Sequence, residues 1–411
     1  MFGIVQNLLP RALSGVALLF LAGVASGEGV FEVTLVDPAV TGYATFQSHN
    51  QKVVANQHGY FLSYIQTRDE PFLAQNWRLM RSVDEGKSFG LVYEAVHATN
   101  APPIETDAEG NIYLACTDFK DGNAYLYRFD AAKDFHDPTV STIPGGAAGK
   151  VTLLLDPSVP CLYFASHNNE FYTLGLDGAV LERTTLLQAG PRAGLQYPSL
   201  RLDAAGTLHY AWTTVLKDAY LYRDIHHMMR PLGSTSWQNF DGTPLAVPVV
   251  ADDAGPATRI TGDDEFEVHT WLASFLIKGG KAHFLYMNQG PPAKEVYVRR
   301  DARSGVEELR TTLDTVLSLS GLFVTADDSP ASPLYCVSSK DQYLVALISR
   351  DNGSTWAPFA RTAQTFHEYS LGGCNTMAPG GWIIGSFTDQ KGTNGPGELE
   401  SKVYFYRLKT E

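Results

Sequence analysis

One alternating strand recurs seven times at steps mostly close to 50 residues, its copies are set off by turns that often carry glycine, and aromatic residues are plentiful where charges are scarce. Together these observations predict an all-β fold, a seven-bladed β-propeller. Five copies are plain apolar runs ending in arginine: Trp77-Arg78-Leu79-Met80-Arg81, Tyr125-Leu126-Tyr127-Arg128, Tyr220-Leu221-Tyr222-Arg223, Val296-Tyr297-Val298-Arg299 and Val403-Tyr404-Phe405-Tyr406-Arg407. Phe171-Tyr172-Thr173-Leu174 and Tyr343-Leu344-Val345-Ala346-Leu347 are degenerate copies that fill the remaining gaps.

Each copy follows a hairpin, as at Asp107-Ala108-Glu109-Gly110-Asn111, Asp203-Ala204-Ala205-Gly206-Thr207 and Lys278-Gly279-Gly280-Lys281. Glycine supplies the positive φ that such connections need, so these turns delimit strands on both sides. Counted from the first strand of each unit, near Lys52, Pro102, Lys150, Pro198, Trp271, Ser320 and Ser370, the steps are 50, 48, 48, 73, 49 and 50 residues. The long step contains an insertion at about 228–266, which lengthens that unit by roughly 25 residues. The last unit stops after its third strand, 402–409, while an orphan strand, Val30 to Val36, precedes the first unit. That strand is expected to complete the last blade, closing the ring and hiding open sheet edges.

With 20 Tyr, 21 Phe, 37 Gly and 22 Pro among 411 residues and only 18% charged, the composition is one of strand and turn formers and excludes disorder or long coiled coils. A net charge of −13 offers no basic surface for a phosphate backbone, so nucleic acid is not an expected partner. A local cluster of Arg and His still suits an acidic ligand. Residues 12–27 are uncharged, centre on Leu18-Leu19-Phe20-Leu21 and end in Ala25-Ser26-Gly27. They predict a signal peptide over 1–27 and a secreted or periplasmic protein, with a retained N-terminal anchor as the alternative. The remainder, 28–411, reads as one propeller domain and as a monomer, with no membrane contact beyond the signal peptide. Cys116, Cys161, Cys336 and Cys374 lie far apart in apolar runs, where buried thiols are the default and one unassigned disulfide is an alternative.

First strands of a propeller all run the same way along its axis, so residues at their starts converge on one face. Here those residues are Ser48-His49-Asn50, His97-Ala98-Thr99-Asn100, Ala148-Gly149-Lys150, Gln196-Tyr197, Glu267-Val268-His269 and Phe366-His367-Glu368-Tyr369. Four of eleven histidines, His49, His97, His269 and His367, fall at one offset in four units. A single histidine at such a place is usually structural; the repetition marks a shared site. Imidazole, phenol, amide and guanidinium with aromatic walls suit a sugar, whose carboxylate an arginine can hold. The expected binding residues are His49, Asn50, Asn100, Arg192, Arg259, His269, His367 and Tyr369. Glycine-rich phosphate loops, G-x-S-x-G and H-E-x-x-H are missing, which leaves nucleotide, esterase and zinc-protease chemistry without support.

Two turns, Ser82-Val83-Asp84-Glu85-Gly86-Lys87-Ser88-Phe89 and Ser349-Arg350-Asp351-Asn352-Gly353-Ser354-Thr355-Trp356, share the pattern S-x-D-x-G-x-[ST]-[WF], with Gly233-Ser234-Thr235-Ser236-Trp237 as a worn copy. They resemble the Asp boxes, or BNR repeats, of sialidase-like propellers. His97-Ala98-Thr99-Asn100 with Asp107-x-x-Gly110-Asn111-Ile112-Tyr113, and Gln196-Tyr197-Pro198 with Asp203-x-x-Gly206-Thr207-Leu208, resemble segments of propeller-type polysaccharide lyases, the ulvan and rhamnosyl-glucuronate lyases. The resemblance implies His97 as base and Tyr197 as acid in a β-elimination on a uronate, and an acidic polysaccharide or oligosaccharide as partner. Such a reaction also needs the uronate carboxylate neutralised before its C5 proton becomes acidic enough to leave. The family carries a second His where this chain reads Cys116-Thr117-Asp118, and its neutralising Arg where this chain reads Trp212-Thr213-Thr214. Arg192, Arg259 and Arg68 are the candidates to replace that arginine.

The insertion opens on Asp224-Ile225-His226-His227 and ends on Asp263-Asp264-Glu265, a grouping that fits no standard metal site and reads as a solvated acidic loop. No cofactor is expected, and a structural or assisting divalent metal has no assigned ligands. Two other functions compete with the lyase. A sialidase-like glycoside hydrolase would need three arginines on a carboxylate and an Arg motif near the mature N-terminus, which is missing. A non-catalytic propeller that binds glycan or protein would tolerate loss of His97 or Tyr197 with weakened affinity only.

Overall fold

The computed structural model describes residues 29–67, 75–167, 169–219, 221–251, 258–262, 268–315, 321–367, 369–391 and 397–410, without the side chains of His97 and Tyr369. The expected signal peptide over 1–27, Arg68, and the acidic stretch 263–267 lie outside the described residues. Strands make up the described elements, with one short 3-10 turn at Ala131–Lys133. Among the described residues no helix is long and apolar enough to cross a membrane.

Four-stranded antiparallel sheets in chain order run from Val53–Asn56 to Gly90–Ala98, from Ile104–Thr106 to Thr139–Ile143, from Val151–Asp156 to Val180–Thr185 and from Thr270–Lys278 to Glu307–Leu313. Ala193–Leu202, Leu208–Leu216 and Leu221–Arg230 form a three-stranded sheet. Two further four-strand runs, Leu322–Thr325 to Ala357–Arg361 and Tyr369–Gly373 to Ser401–Lys409 plus Gly29–Val40, touch through the parallel pairs Gly29↔Ala360 and Val30↔Arg361. The orphan N-terminal strand thus pairs as its sequence position suggests: Gly29–Val40 runs antiparallel to Ser401–Lys409 from Phe31↔Leu408 to Val40↔Ser401.

The sheets stand around an axis, each first strand beside the next. Val53–Asn56 neighbours Ile104–Thr106, followed by Val151–Asp156, Ala193–Leu202, Thr270–Lys278 and Leu322–Thr325. The parallel bridges Thr325↔Thr376 and Gln51↔Gly373 link the two ends of that series to the last sheet. Burial falls from the axis outwards, and the sequence follows it. Ile112–Asp118 and Cys161–Ser166, sandwiched between neighbouring sheets, are buried at every position, whereas the outer strand Val180–Thr185 is mostly exposed and carries Glu182 and Arg183. Three of the four cysteines lie in such second strands; all four are buried and free.

The two S-x-D-x-G-x-[ST]-[WF] turns share one hydrogen-bond pattern. Ser82 Oγ donates to Asp84 and accepts from the Gly86 N–H at 2.8 Å, and Ser349 does the same with Asp351 and Gly353 at 2.7 Å from the glycine nitrogen. Asp84 then accepts from Ser88, and Asp351 from Thr355. In both, the aromatic that closes the motif packs on the third strand of the preceding sheet: Phe89 on Phe405 and Trp356 on Tyr297. The Gly233–Trp237 copy has no aspartate at the corresponding place, and there Ser234 caps its own turn through Ser236.

The inserted stretch leaves the sheet only after Arg230, so Met228–Arg230 belong to the strand Leu221–Arg230. It folds back along that strand through the bridges Met229↔Gln238 and His226↔Arg259, occupying the place of a fourth strand. The reading of Asp224-Ile225-His226-His227 as part of a solvated loop is therefore corrected. His226 stacks on Trp212 at 5.2 Å and His227 on Phe240 at 4.0 Å, both buried, because the strand continues through them. Burial, reinforced by Arg259, pushes the His226 imidazole down to about 3, so it packs as a neutral ring.

Candidate functional site

Some of the residues at the starts of the first strands, His49 and Lys150 among them, meet around Tyr197. It sits at φ 53°, a left-handed conformation rare for an aromatic residue, inside the strand Ala193–Leu202. Pairing with the next strand breaks between Gln196↔Thr213 and Ser199↔Ala211, so the Tyr197-Pro198 dipeptide is a bulge. Proline cannot donate to the ladder, which explains why the pairing fails at this point. The bulge re-aims the ring into an aromatic cluster: edge-on to His49 at 5.2 Å, near Phe46 at 6.3 Å and Tyr222 of its own sheet at 5.9 Å, and stacked with Trp271 of the next sheet at 6.3 Å. Strain of this kind is retained where surrounding contacts over-determine it, and it concentrates at working sites.

The Lys150 ammonium lies over the Tyr197 ring, 5.0 Å from its centre. Burial lowers its pKa to about 8, so near neutrality it is mostly charged yet can lose its proton within the physiological range. The Lys150 backbone N–H donates to Nδ1 of His167 at 2.9 Å. Burial and then the Lys150 charge push His167 down to about 4, leaving it a neutral imidazole. His49 is 1% exposed and its Nε2 is without a hydrogen-bond partner. Burial first, then Lys52, Lys150 and Arg201, hold it well below the ordinary histidine value.

The expected residues divide into three groups. His49 and Tyr197 are in contact, and His269 stands at the edge of the same cluster, accepting from the Tyr222 N–H at 3.1 Å and packing on Trp271. Asn50 and Asn100 brace the floor: their amides donate to the carbonyls of Val151 and Gly149, beside Lys150. The others stand apart. His367 is exposed on Asp389 at 3.2 Å; Arg192 lies exposed before its strand; Arg259 runs beside His226 on the far strand of its sheet. The side chains of His97 and Tyr369 are outside the described residues, but the His97 backbone ends the strand Gly90–Ala98. Two residues on, Thr99 donates to the Ala148 carbonyl at 2.9 Å, which brings that chain end to the Lys150 corner.

Sequence reasoning placed Lys150 at the mouth without a role, and missed His167, Tyr222 and Trp271. His167 had a usable signal: it follows the second strand Cys161–Ser166, the place that Asp118 ends in the preceding sheet. Among the described residues no group of three or more His, Cys, Asp or Glu could hold a metal.

No protein-family profile and no curated protein matches the chain. Solved structures do. An ulvan lyase of a polysaccharide lyase family, bound to -[GlcA(1-4)Rha3S]-, superposes with a TM-score of 0.67 at 11% identity, over 90% of this chain and 94% of that one. An ulvan lyase structure without that ligand in its description gives 0.64 at 11% over the same shares. The polysaccharide lyase Uly1 gives 0.56 at 10% identity, over 88% of this chain and 90% of that one. At these identities the likeness is one of fold: all-β and propeller-like.

Proposed function

We propose that this protein is a secreted polysaccharide lyase that cleaves a uronate-containing glycan by β-elimination. We read its sheets as seven blades, with the strand Gly29–Val40 completing the last and closing the ring. The Lys150 ammonium over a strained Tyr197 at the axial mouth is the observation that carries the functional reading.

Elimination removes the proton at C5 of the uronate and expels the C4 oxygen, leaving a C4–C5 double bond. In this reading Lys150 pairs with the uronate carboxylate, which lets negative charge build at C5 without an arginine at that place. His97 takes the C5 proton, and the Tyr197 phenol gives its proton to the departing oxygen. Trp271 and His269, half-exposed at the cluster edge, supply faces on which a sugar ring can rest. A likeness in fold to ulvan lyases, one of them bound to a glucuronate-containing ligand, supports the substrate class. A neutral His49 beneath the phenol adds a polar floor without competing for the carboxylate.

A non-catalytic glycan-binding propeller is favoured by one observation, the burial of Tyr197, only 6% exposed. The two readings part on products. Incubating the purified protein with uronate polysaccharides should generate the ultraviolet absorbance of a 4,5-unsaturated uronate. Binding without any product supports the second reading, and reducing ends without that absorbance indicate hydrolysis.

A further inference from the structure

Beneath the mouth, the segment 47–52 crosses the axis and touches most of the surrounding sheets. Ser48 Oγ donates to Ala273 O, Asn50 Nδ2 to Val151 O and Gln51 Nε2 to Ile104 O, while the Lys52 N–H donates to Gly373 O. The His49 carbonyl accepts from Ser199 Oγ at 2.9 Å and from an Arg201 guanidinium nitrogen at 3.4 Å.

This plug gathers three basic side chains, Lys52, Lys150 and Arg201, beside one buried carboxyl, Glu105. Lys52 is fully buried, and its Nζ has no hydrogen-bond partner. Arg201 is 8% exposed and spends its donors on neutral acceptors: the carbonyls of His49, Leu200 and Phe275, and Asn375 Oδ1. Lys150 adds a third cation that acts on His49, and Glu105 is the carboxyl that acts on Arg201. The Gln47 amide nitrogen, a donor, is likewise buried without a partner. An isolated buried ammonium is strongly disfavoured unless it is paired or loses its proton. The stem of Lys52 is also closely cradled: a Cβ placed on Gly372 would fall 2.6 Å from Lys52 Cγ, so the neighbouring strand presses on it at a glycine.

We propose that the plug encloses a small inorganic anion of the halide class, with the buried Lys52 ammonium as its charged ligand. The anion offsets the cations on the axis and ties the 47–52 segment to the inner strands. Lys52, the anion's ligand, has no part in the uronate reading, so the proposal stands whether or not the protein is a lyase.

The test uses crystals of the full protein grown without chloride and soaked in bromide, together with thermal unfolding in sodium chloride and in sodium gluconate at matched ionic strength. The expected results are a bromine anomalous peak in contact with Lys52 Nζ and an upward, saturating shift of the unfolding midpoint with chloride but not with gluconate. Lys52→Met, or Lys52→Gln should the first fail to fold, should lose that selective shift. Absence of the peak at Lys52 overturns the proposal. So does a chloride-selective shift that survives in the variants.

Discussion

The Lys150 ammonium lies 5.0 Å from the centre of the Tyr197 ring, and the two come from neighbouring sheets. The contact falls at the bulge of Tyr197-Pro198, where the strand ladder is broken. A cation, a phenol and four further rings thus share one corner of the axial mouth.

Tyr197→Phe should keep the cluster packed, since the ring contacts with His49, Tyr222 and Trp271 need no hydroxyl. Elimination should fall by about 10²–10⁴-fold, the usual contribution of a positioned acid or base. Initial rates from ultraviolet absorbance, with a circular dichroism melt as the control for folding, check this. A variant of full activity would remove Tyr197 from the reaction.

Lys150 gives a pH dependence with a definite sign. The proposed reaction uses its charged form, so kcat/KM of the wild type should decline as pH rises through about 8. Lys150→Arg, which stays charged, should move that decline to higher pH, and Lys150→Met should lose activity at every pH. Stability runs the other way: the folded pKa lies below the ordinary 10.5, so the unfolded chain binds more protons between the two values and stability rises with pH across that window. Denaturant titrations from pH 7 to 10 should show that rise flattened in Lys150→Met.

Glu295 is fully buried, bonded to Thr315 and Ser338, and burial raises its pKa to about 7. The folded state keeps a proton that the unfolded state releases, so stability is lost as pH climbs from the ordinary 4.5 through about 7. Glu295→Gln should remove that loss and be relatively more stable at pH 8 than at pH 5. Urea midpoints at the two values measure it; a parallel pH response in wild type and variant would contradict it.

Gly353 stands at φ 83°, and a Cβ there would fall 1.8 Å from the Tyr297 hydroxyl. Gly353→Ala combines a left-handed backbone penalty with overpacking and should cost roughly 2–5 kcal/mol. The expected readout is a lower denaturant midpoint, with no change in the mouth. Gly86, at φ 82° against Phe405, should respond alike, because the two turns are built the same way.

Periodicity made the sheets legible in advance. Recurring alternating runs, and glycine at Gly110, Gly206 and Gly280, mark third strands and turns because alternation and positive φ are local properties of the chain. The pairing of the N-terminal strand with Ser401–Lys409 could be anticipated from a unit that was one strand short. The site was less legible. Tyr197 and His49 stood out by offset, but an offset does not say which way a side chain turns: His367 faces Asp389 in solvent and Arg192 lies exposed outside its strand. Lys150 gained meaning only from the ring it covers, and His226 and His227 read as part of a solvated loop until the strand through them is traced. Such contacts are made between sheets, so no local pattern records them.

The most direct test of the lyase reading is the mass of the products from a glucuronate-containing sulfated polysaccharide treated with the purified wild-type protein. The predicted result is oligosaccharides one water lighter than hydrolysis would give, absorbing in the ultraviolet, and lost in Tyr197→Phe and Lys150→Met. Products carrying the added water, or an undegraded polymer across a full panel of uronate glycans, would contradict it.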